Sequence, residues 1–467
     1  MFRRLFLPAL LIVLAGLAAA WWLSRPPRPP ALPPRVPTTA PAPPAPGPEP
    51  GFAVLFGGEL RGRFWVPPCS VIGGGGVARL HAAIRQMVEA GEGVLSTVVA
   101  TGDVPAGQGE AGELELRTGL LALRDAGLAV TCVGERDLLV GLARWRAALE
   151  QEGQGIAVVC ANLRDPGGRP LALPWTELTV GTRRVVCTGF LSPSFEEGLR
   201  EAGVDVRLAP AAESVKAAIA EAGRADLVLL LAHAARAESE EVAAKVGTVD
   251  CTITAHAGDL PSTDPATVGG KPFLAAGTRW RNIGRIVFDW EKTGAKVRHY
   301  GTRPVGQGIP EYPPVAQSAQ WLLDGLRRPG FLEGSLREAA AQWKGGRYAG
   351  PASCAGCHAS AHVAWRTVED PHFRSMDAVR DAGLERAPNC LSCHATAPGR
   401  PGGHLAPRDA QAAVTCEACH GPADAHVASR GASRLADAKA SCAACHVPDM
   451  SPDFRYEEAW PRIAHGR

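Results

Sequence analysis

The chain has 467 residues, a length that predicts two to four domains. Hydrophobic residues make up 46% and charged residues 21%, which excludes a disordered or fibrous chain. A net charge of +2 excludes a reading built on nucleic acid.

Arg3 and Arg4 precede an uncharged apolar run over residues 5–23. A positive n-region followed by an apolar stretch is an export signal, and nineteen residues are close to a bilayer-spanning length. Ala18-Ala19-Ala20 offers a cleavage site, whereas Trp21-Trp22 fits an interfacial belt. Residues 1–24 therefore read as an uncleaved membrane anchor, with a cleaved signal peptide as the alternative. Either places the rest outside the cytoplasmic membrane, in the periplasm, and the positive-inside rule agrees. Residues 25–50 form a Pro-rich linker: thirteen of the 27 residues from 24 to 50 are proline. Proline fixes φ and lacks a donor, so the segment predicts an extended spacer of about 3.1 Å per residue.

Residues 51–305 alternate apolar strand runs with helix-period segments. The strand runs are FAVLF (52–56), VLSTVVA (94–100), AVTCV (129–133), IAVVC (156–160), RVVCTGF (184–190), DLVLLLA (226–232) and RIVFDW (285–290). Helical periodicity falls at 77–90, 114–126 and 212–222, so the pattern predicts a layered α/β domain. Residues 306–345 read as connecting helices, at 315–326 and 332–343. Five cysteines (Cys69, Cys132, Cys160, Cys187, Cys251) are scattered rather than clustered. They predict buried apolar residues or free thiols rather than a disulfide framework, with Cys69 in its Pro-rich loop the exception.

From residue 346 to 467 long apolar runs disappear, and Ala, His, Cys and Pro dominate. The segment carries 13 basic and 13 acidic residues, so it has no single-sign field. It also carries Cys354-Ala-Gly-Cys357-His358, Cys390-Leu-Ser-Cys393-His394, Cys416-Glu-Ala-Cys419-His420 and Cys442-Ala-Ala-Cys445-His446. Two thiols at this spacing reach the two vinyl groups of one haem edge, and the adjacent histidine becomes the proximal iron ligand. Paired C-x-x-C is also a zinc pattern, but zinc ribbons or disulfides leave unexplained why His follows the second Cys four times. Four covalent c-type haems are predicted, supplying the apolar bulk that the chain lacks. Histidines outside the motifs are His362, His372, His404, His426 and His465, with Met376 and Met450 as thioether alternatives. Five spare histidines for four irons predict mostly bis-His coordination and lower potentials than Met ligation would give.

Residues 347–466 resemble the tetrahaem cytochrome c family typified by the electron acceptor of hydroxylamine oxidoreductase. The stretches that carry the likeness are RYAGPASCAGCHASAHVAW, DPHFRSM, NCLSCHATAPGRPGG, VTCEACHGPADAH and SCAACHVPDMSPDFRYEEAWPRIAHG. The resemblance implies a mainly α-helical, haem-packed domain. By position it favours His372, His426 and His465 as distal ligands, leaving His362 and His404 to compete for the fourth iron. If neither binds, one haem is five-coordinate and open to a small ligand.

Residues 53–290 resemble the metallophosphoesterase domain of bacterial periplasmic 5′-nucleotidases. The family's opening Asn-Asp-x-His-Gly corresponds to Gly58-Glu59-Leu60-Arg61-Gly62, and its Gly-rich helix start to Gly74-Gly75-Gly76-Val77. Its bridging-Asp motif corresponds to Thr101-Gly102-Asp103, its Gly-Asn-His-Glu to Gly134-Glu135-Arg136-Asp137, and its later His motifs to His233 and His256. Such a site holds two metal ions that share a carboxylate and activate water. Arg61 and Arg136 stand where ligands are needed, and guanidinium neither deprotonates nor ligates. The dinuclear site is therefore expected to be degenerate, leaving either three ordinary buried residues or one divalent metal on Asp103, His233 and His256. The two arginines could instead gather an anion. The Gly73–Gly76 run is a weak signal for a nucleotide cradle.

The reading is an exported tetrahaem cytochrome that exchanges electrons with redox partner proteins, fused to an inactive phosphoesterase-like domain. Its alternatives are a reductase or small-ligand enzyme at an open haem, and an active 5′-nucleotidase-like hydrolase.

Overall fold

The computed structural model describes residues 51–465 apart from 72, 92–93, 259–261, 293, 368–370 and 449. The expected anchor and linker lie outside the described residues. Among the described residues no helix is long and apolar enough to cross a membrane.

The strands, in chain order, are β1 (Phe52–Gly57), β2 (Leu95–Ala100), β3 (Leu128–Cys132), β4 (Ala157–Val159), β5 (Leu163–Arg164), β6 (Trp175–Val180) and β7 (Arg183–Leu191). There follow β8 (Arg207–Leu208), β9 (Leu227–His233), β10 (Cys251–Thr254), β11 (Ala266–Val268), β12 (Lys271–Ala275), β13 (Asn282–Glu291) and β14 (Gly294–Pro304). One six-stranded sheet has the order β14-β13-β1-β2-β3-β4, the other β11-β12-β10-β9-β7-β6. The centre of each sheet is parallel: β1 to β4 in the first, and β7, β9, β10 and β12 in the second. Antiparallel strands close both edges of the second sheet and the β14 edge of the first.

Alternation along the strands explains the layering. Phe52, Val54 and Phe56 of β1 meet Leu227, Leu229 and Leu231 of β9 in a core between the sheets. Ala53 and Leu55 turn the other way, onto the helices Val77–Glu89 and Gly109–Ala126. Leu230 and Ala232 likewise face the helices Ala211–Ala222 and Arg236–Val246. Strands covered on both faces need apolar residues at every position, hence the unbroken runs in the sequence. Cys132, Cys187 and Cys251 fill the inter-sheet core and Cys160 the helix-side core, while Cys69 is exposed.

The helices Pro313–Arg327 and Phe331–Gln342 lay Val315, Leu322, Leu326, Leu332 and Leu336 onto that helix-side core. Beyond them the described residues form short helices and no strand. Met376, Val379, Leu384, Cys390 and Leu391 extend the α/β core. After residue 400 the buried apolar residues, among those described, are alanines only: Ala413, Ala423 and Ala438. Such side chains stabilise far less than the roughly 1.5–3 kcal/mol of a buried Leu or Phe.

Candidate haem and metal sites

The carboxyl ends of the central strands of both sheets converge on one point, where open α/β sheets place ligands. Glu59 follows β1, Asp103 follows β2, Glu135 follows β3, His233 ends β9 and His256 follows β10. Ligand atoms of Asp103, Glu135, His233 and His256 all lie within 4.8 Å of one another. His233 Nδ1 donates to the carbonyl of Thr101, which leaves Nε2 to face the cluster. That nitrogen is 2.6 Å from Glu135 Oε2, 2.8 Å from His256 Nε2 and 3.6 Å from Asp103 Oδ1. Arg61, Asp103 and His256 adopt φ of 46°, 56° and 46°. Left-handed backbone at non-glycine residues costs energy and concentrates at sites whose surroundings enforce it.

Both arginines join this cluster. Arg61 donates to Glu59 Oε1 (3.1 Å) and to His256 Nδ1 (3.0 Å), and its Nε lies 3.6 Å from Asp103 Oδ2. Arg136 Nε stands 3.7 Å from the same oxygen and 3.8 Å from Glu135. Their charge is matched by carboxylates inside the cluster, which removes the basis for a separate anion site. Because His256 Nδ1 accepts from Arg61, its proton sits on Nε2 and points at His233 Nε2. Glu135 and Asp103 then face His233 as acceptors too, so the centre calls for one more positive charge, a proton or a cation. Burial opposes charge on His233, but Asp103, Glu135 and Glu59 outweigh it and lift its pKa to about 10. The donor set fits one divalent ion, with His233 oriented through its second nitrogen as metal-bound histidines are. The sequence points to Asp103, His233 and His256 here, and sets Glu135 in the counterpart of the family's Gly-Asn-His-Glu motif. It does not single out Asp137, which fixes the Asp103 loop by accepting from the amides of Asp103 (3.0 Å), Val104 (2.9 Å) and Gly134 (2.9 Å).

In the C-terminal region all four Cys-x-x-Cys-His motifs lie on or at the ends of short helices: Pro351–Ala355, Pro388–His394, Cys416–His420 and Cys442–Cys445. The thiols of Cys354 and Cys416 lie close enough for each to shift the other's ionisation, as do those of Cys393 and Cys445. The first motif thus sits beside the third, and the second beside the fourth; Cys357, Cys390, Cys419 and Cys442 complete the thiol pairs. Three spare histidines face motif histidines. Ring centroids are 6.3 Å apart for His358 and His426, 6.1 Å for His372 and His446, and 6.0 Å for His420 and His465. Burial, followed by the facing histidine, holds the pKa of His420 and of His446 below the usual imidazole value, which favours the neutral, ligating form. His394 donates from Nδ1 to the carbonyl of Ser375, and among the described residues no histidine ring faces it.

Residues 353–421 match the family of cytochrome c554 and c-prime. No curated protein matches the chain. Among solved structures, the calcineurin-like phosphoesterase YfkN from Bacillus subtilis has a TM-score of 0.50 at 15% identity, over 59% of this chain and 98% of that one. The sulfate thiohydrolase SoxB of Thermus thermophilus, in complex with glycerol, has a TM-score of 0.49 at 19% identity, over 61% of this chain and 62% of that one. A 5′-nucleotidase precursor from Thermus thermophilus has a TM-score of 0.49 at 18% identity, over 59% of this chain and 58% of that one. This chain therefore spans less than two thirds of the last two proteins. The N-terminal region has a mixed α/β phosphoesterase-like fold, and the helical C-terminal region carries the cytochrome c554 match.

The helical C-terminal region fits haem on its own geometry. A metal–imidazole bond of about 2.0–2.1 Å plus about 1.1 Å from nitrogen to ring centre, doubled, gives roughly 6.2 Å between rings across one iron. The three observed pairs, at 6.0 to 6.3 Å, match that figure. His404 is different. It is fully buried, its Nδ1 is 3.1 Å from Asp409, and its Nε2 is sealed from solvent with no partner. A ligating nitrogen must open onto a space wide enough for a porphyrin, and His404 has none. His362 lies one helical turn beyond His358 and packs beside Trp365, 5.7 Å away. Among the described residues, neither ring faces the ring of a motif histidine. Met376 is buried in the α/β-side core, and Met450 Sδ lies 3.4 Å from Cys69 Sγ.

Proposed function

We propose that the chain is a tetrahaem electron-transfer protein working outside the cytoplasmic membrane and exchanging electrons with redox partner proteins. The observation that carries this is the set of three histidine pairs at iron-bridging separation, next to four attachment motifs. Haem supplies one-electron chemistry when bound. The chain's own residues would do the rest: the eight motif cysteines would attach the rings, and His358, His394, His420 and His446 would ligate the irons. His426, His465 and His372 would supply second ligands to three of them. Haems on neighbouring motifs, first with third and second with fourth, would be placed to exchange electrons. The α/β domain serves as a docking module without hydrolytic turnover, because two guanidinium groups occupy the surroundings of Asp103 where a second metal would bind. The deciding experiment counts haem and assigns spin state in full-length protein matured in an exporting host. Four haems, three of them six-coordinate and low-spin, are expected; a count of zero overturns the reading.

A second reading is favoured by His394, whose distal side lacks a histidine among the described residues. A five-coordinate iron there takes small ligands and supports reductase chemistry. Carbon monoxide, nitrite or hydroxylamine added to the protein should perturb the spectrum of one haem only. Four unperturbed low-spin haems would remove this reading.

A further inference from the structure

The helix Pro388–His394, which carries the second attachment motif, is seated on the α/β domain through two close backbone approaches. A Cβ on Gly107 would lie 3.1 Å from Pro388 Cγ, and one on Gly62 would lie 3.2 Å from Asn389 Cβ. The same point at Gly62 is 3.0 Å from Oε1 of Glu115. One glycine therefore separates a carboxyl oxygen from the residue that precedes Cys390.

Glu115 sits in the helix Gly109–Ala126 and is completely buried. Its Oε2 accepts from the amides of Ala106 (2.8 Å) and Gly107 (2.7 Å). Its Oε1 is buried with no hydrogen-bond partner. A glutamine would satisfy both amides equally well, so the tie itself does not explain an ionisable group. Leaving a buried carboxylate oxygen unpaired is costly, and protonation is the ordinary way to relieve that cost.

We propose that Glu115 is the redox-linked proton acceptor of the haem carried by Cys390, Cys393 and His394, an inference that rests on haem attachment at that motif. With haem bound at this motif, its reduction by one electron from a donor protein would add one negative charge to the seam. The Glu115 carboxylate takes one proton from solvent in the same step and becomes the neutral acid. Reoxidation releases both. The environment suits the role. Burial pushes the Glu115 pKa up to about 7, with the amides of Gly107 and Ala106 and then the Arg136 charge opposing the rise. From the attachment helix the facing group is Cys390, whose thiol is raised by burial and then by the charges of Cys69, Cys393 and Glu115, with Arg63 opposing. With haem attached, Cys390 is a thioether and does not titrate, which leaves Glu115 and the fixed charges of Arg136 and Arg63 at the seam.

The test is an optical redox titration of the full-length, haem-loaded protein between pH 6 and pH 9. A variant with Cys390→Ala and Cys393→Ala identifies which component belongs to the second motif. That component should fall in potential with rising pH above about 7, by up to ~59 mV per unit, the one-electron equivalent of a tenfold change. Glu115→Gln should abolish the slope for that haem alone. A reduced-minus-oxidised infrared spectrum should show a protonated carboxyl band that Glu115→Gln removes, and Glu115→Asp should keep a slope with a shifted window. If the parent protein carries three haems with the second motif bare, the attachment reading fails and takes this proposal with it. Four haems with a slope that persists in Glu115→Gln overturn this proposal alone.

Discussion

His372 and His446 meet edge to face, with ring planes at 89° and centroids 6.1 Å apart, although the second and third attachment motifs lie between them in sequence. His372 comes from the 3₁₀ turn Pro371–Arg374 and His446 from the end of the last attachment helix. The pairing folds the region back on itself and seats the fourth motif beside the second. Replacing His372 with Ala should leave haem content at four and convert one six-coordinate haem to high spin, detectable by electron paramagnetic resonance. His362→Ala and His404→Ala should leave the spin-state count unchanged.

Carbon monoxide uptake gives an independent reading of the same geometry. Fully reduced protein should bind about one equivalent, because among the described residues a single motif histidine lacks a facing ring. His465→Ala should raise this to about two. Gas titration with Soret monitoring measures both.

Glu417, inside the third motif, ties the domain together. Its carboxylate accepts from the amides of Ala349 (2.7 Å), Gly350 (2.8 Å) and Ala423 (2.8 Å) and from Gln411 Nε2 (3.1 Å). Truncation to Ala leaves three backbone donors without a partner, and each is worth about 1–3 kcal/mol when buried. Glu417→Ala should therefore cost on the order of 3–5 kcal/mol, seen as an earlier denaturant midpoint for the C-terminal region.

Glu115 also sets a pH dependence of stability. Its folded pKa, about 7, lies above the ordinary glutamate value of 4.5. Between those values the folded state binds more protons than the unfolded state, so stability falls as pH rises from about 4.5 to about 7 and then levels. Glu115→Gln should flatten that fall. Denaturant titrations at pH 4.5, 6 and 7.5 compare the two proteins.

The Asp103, Glu135, His233 and His256 cluster should take up no more than one equivalent of zinc, and His233→Ala should abolish uptake. Arg61→His removes a cation and supplies an imidazole next to Glu59 and Asp103, so it should raise the stoichiometry toward two. Gly134→Ala should weaken the first site, because a Cβ there would lie 2.2 Å from Asp103 Oδ1 and 2.8 Å from His233 Cε1. Isothermal calorimetry and metal content check all three.

The sandwich was legible where burial is two-sided. FAVLF and DLVLLLA are apolar at every position because β1 and β9 are covered on both faces. The strands that leave no clear pattern in the sequence lie where cover is one-sided or the run is short. β14 alternates half-buried and exposed residues, β6 is mostly half-buried, and β10 has four residues with threonine at two of them. The helices Leu142–Glu152 and Arg236–Val246 leave no clear pattern for the same reason, since few of their residues are buried. At the site, motif spacing announced the haem attachment residues, because covalent chemistry fixes the spacing within four or five positions. The distal partners could be named only as spare histidines. Which of them face an iron depends on how short helices fold back, and local periodicity carries no trace of that. Glu115 gave no signal at all: it reads as one more polar residue on a helix until the fold shows what lies across Gly62.

The thin core beyond residue 400 divides the molecule into a part that stands on its own side chains and a part that does not. The α/β half carries its own apolar interior, and Met376, Val379 and Leu391, around the second attachment motif, share it. The third and fourth motifs lie where the buried apolar residues are alanines. Protein matured without porphyrin should therefore be ordered at one end and unfinished at the other, with limited proteolysis confined to the residues beyond 400.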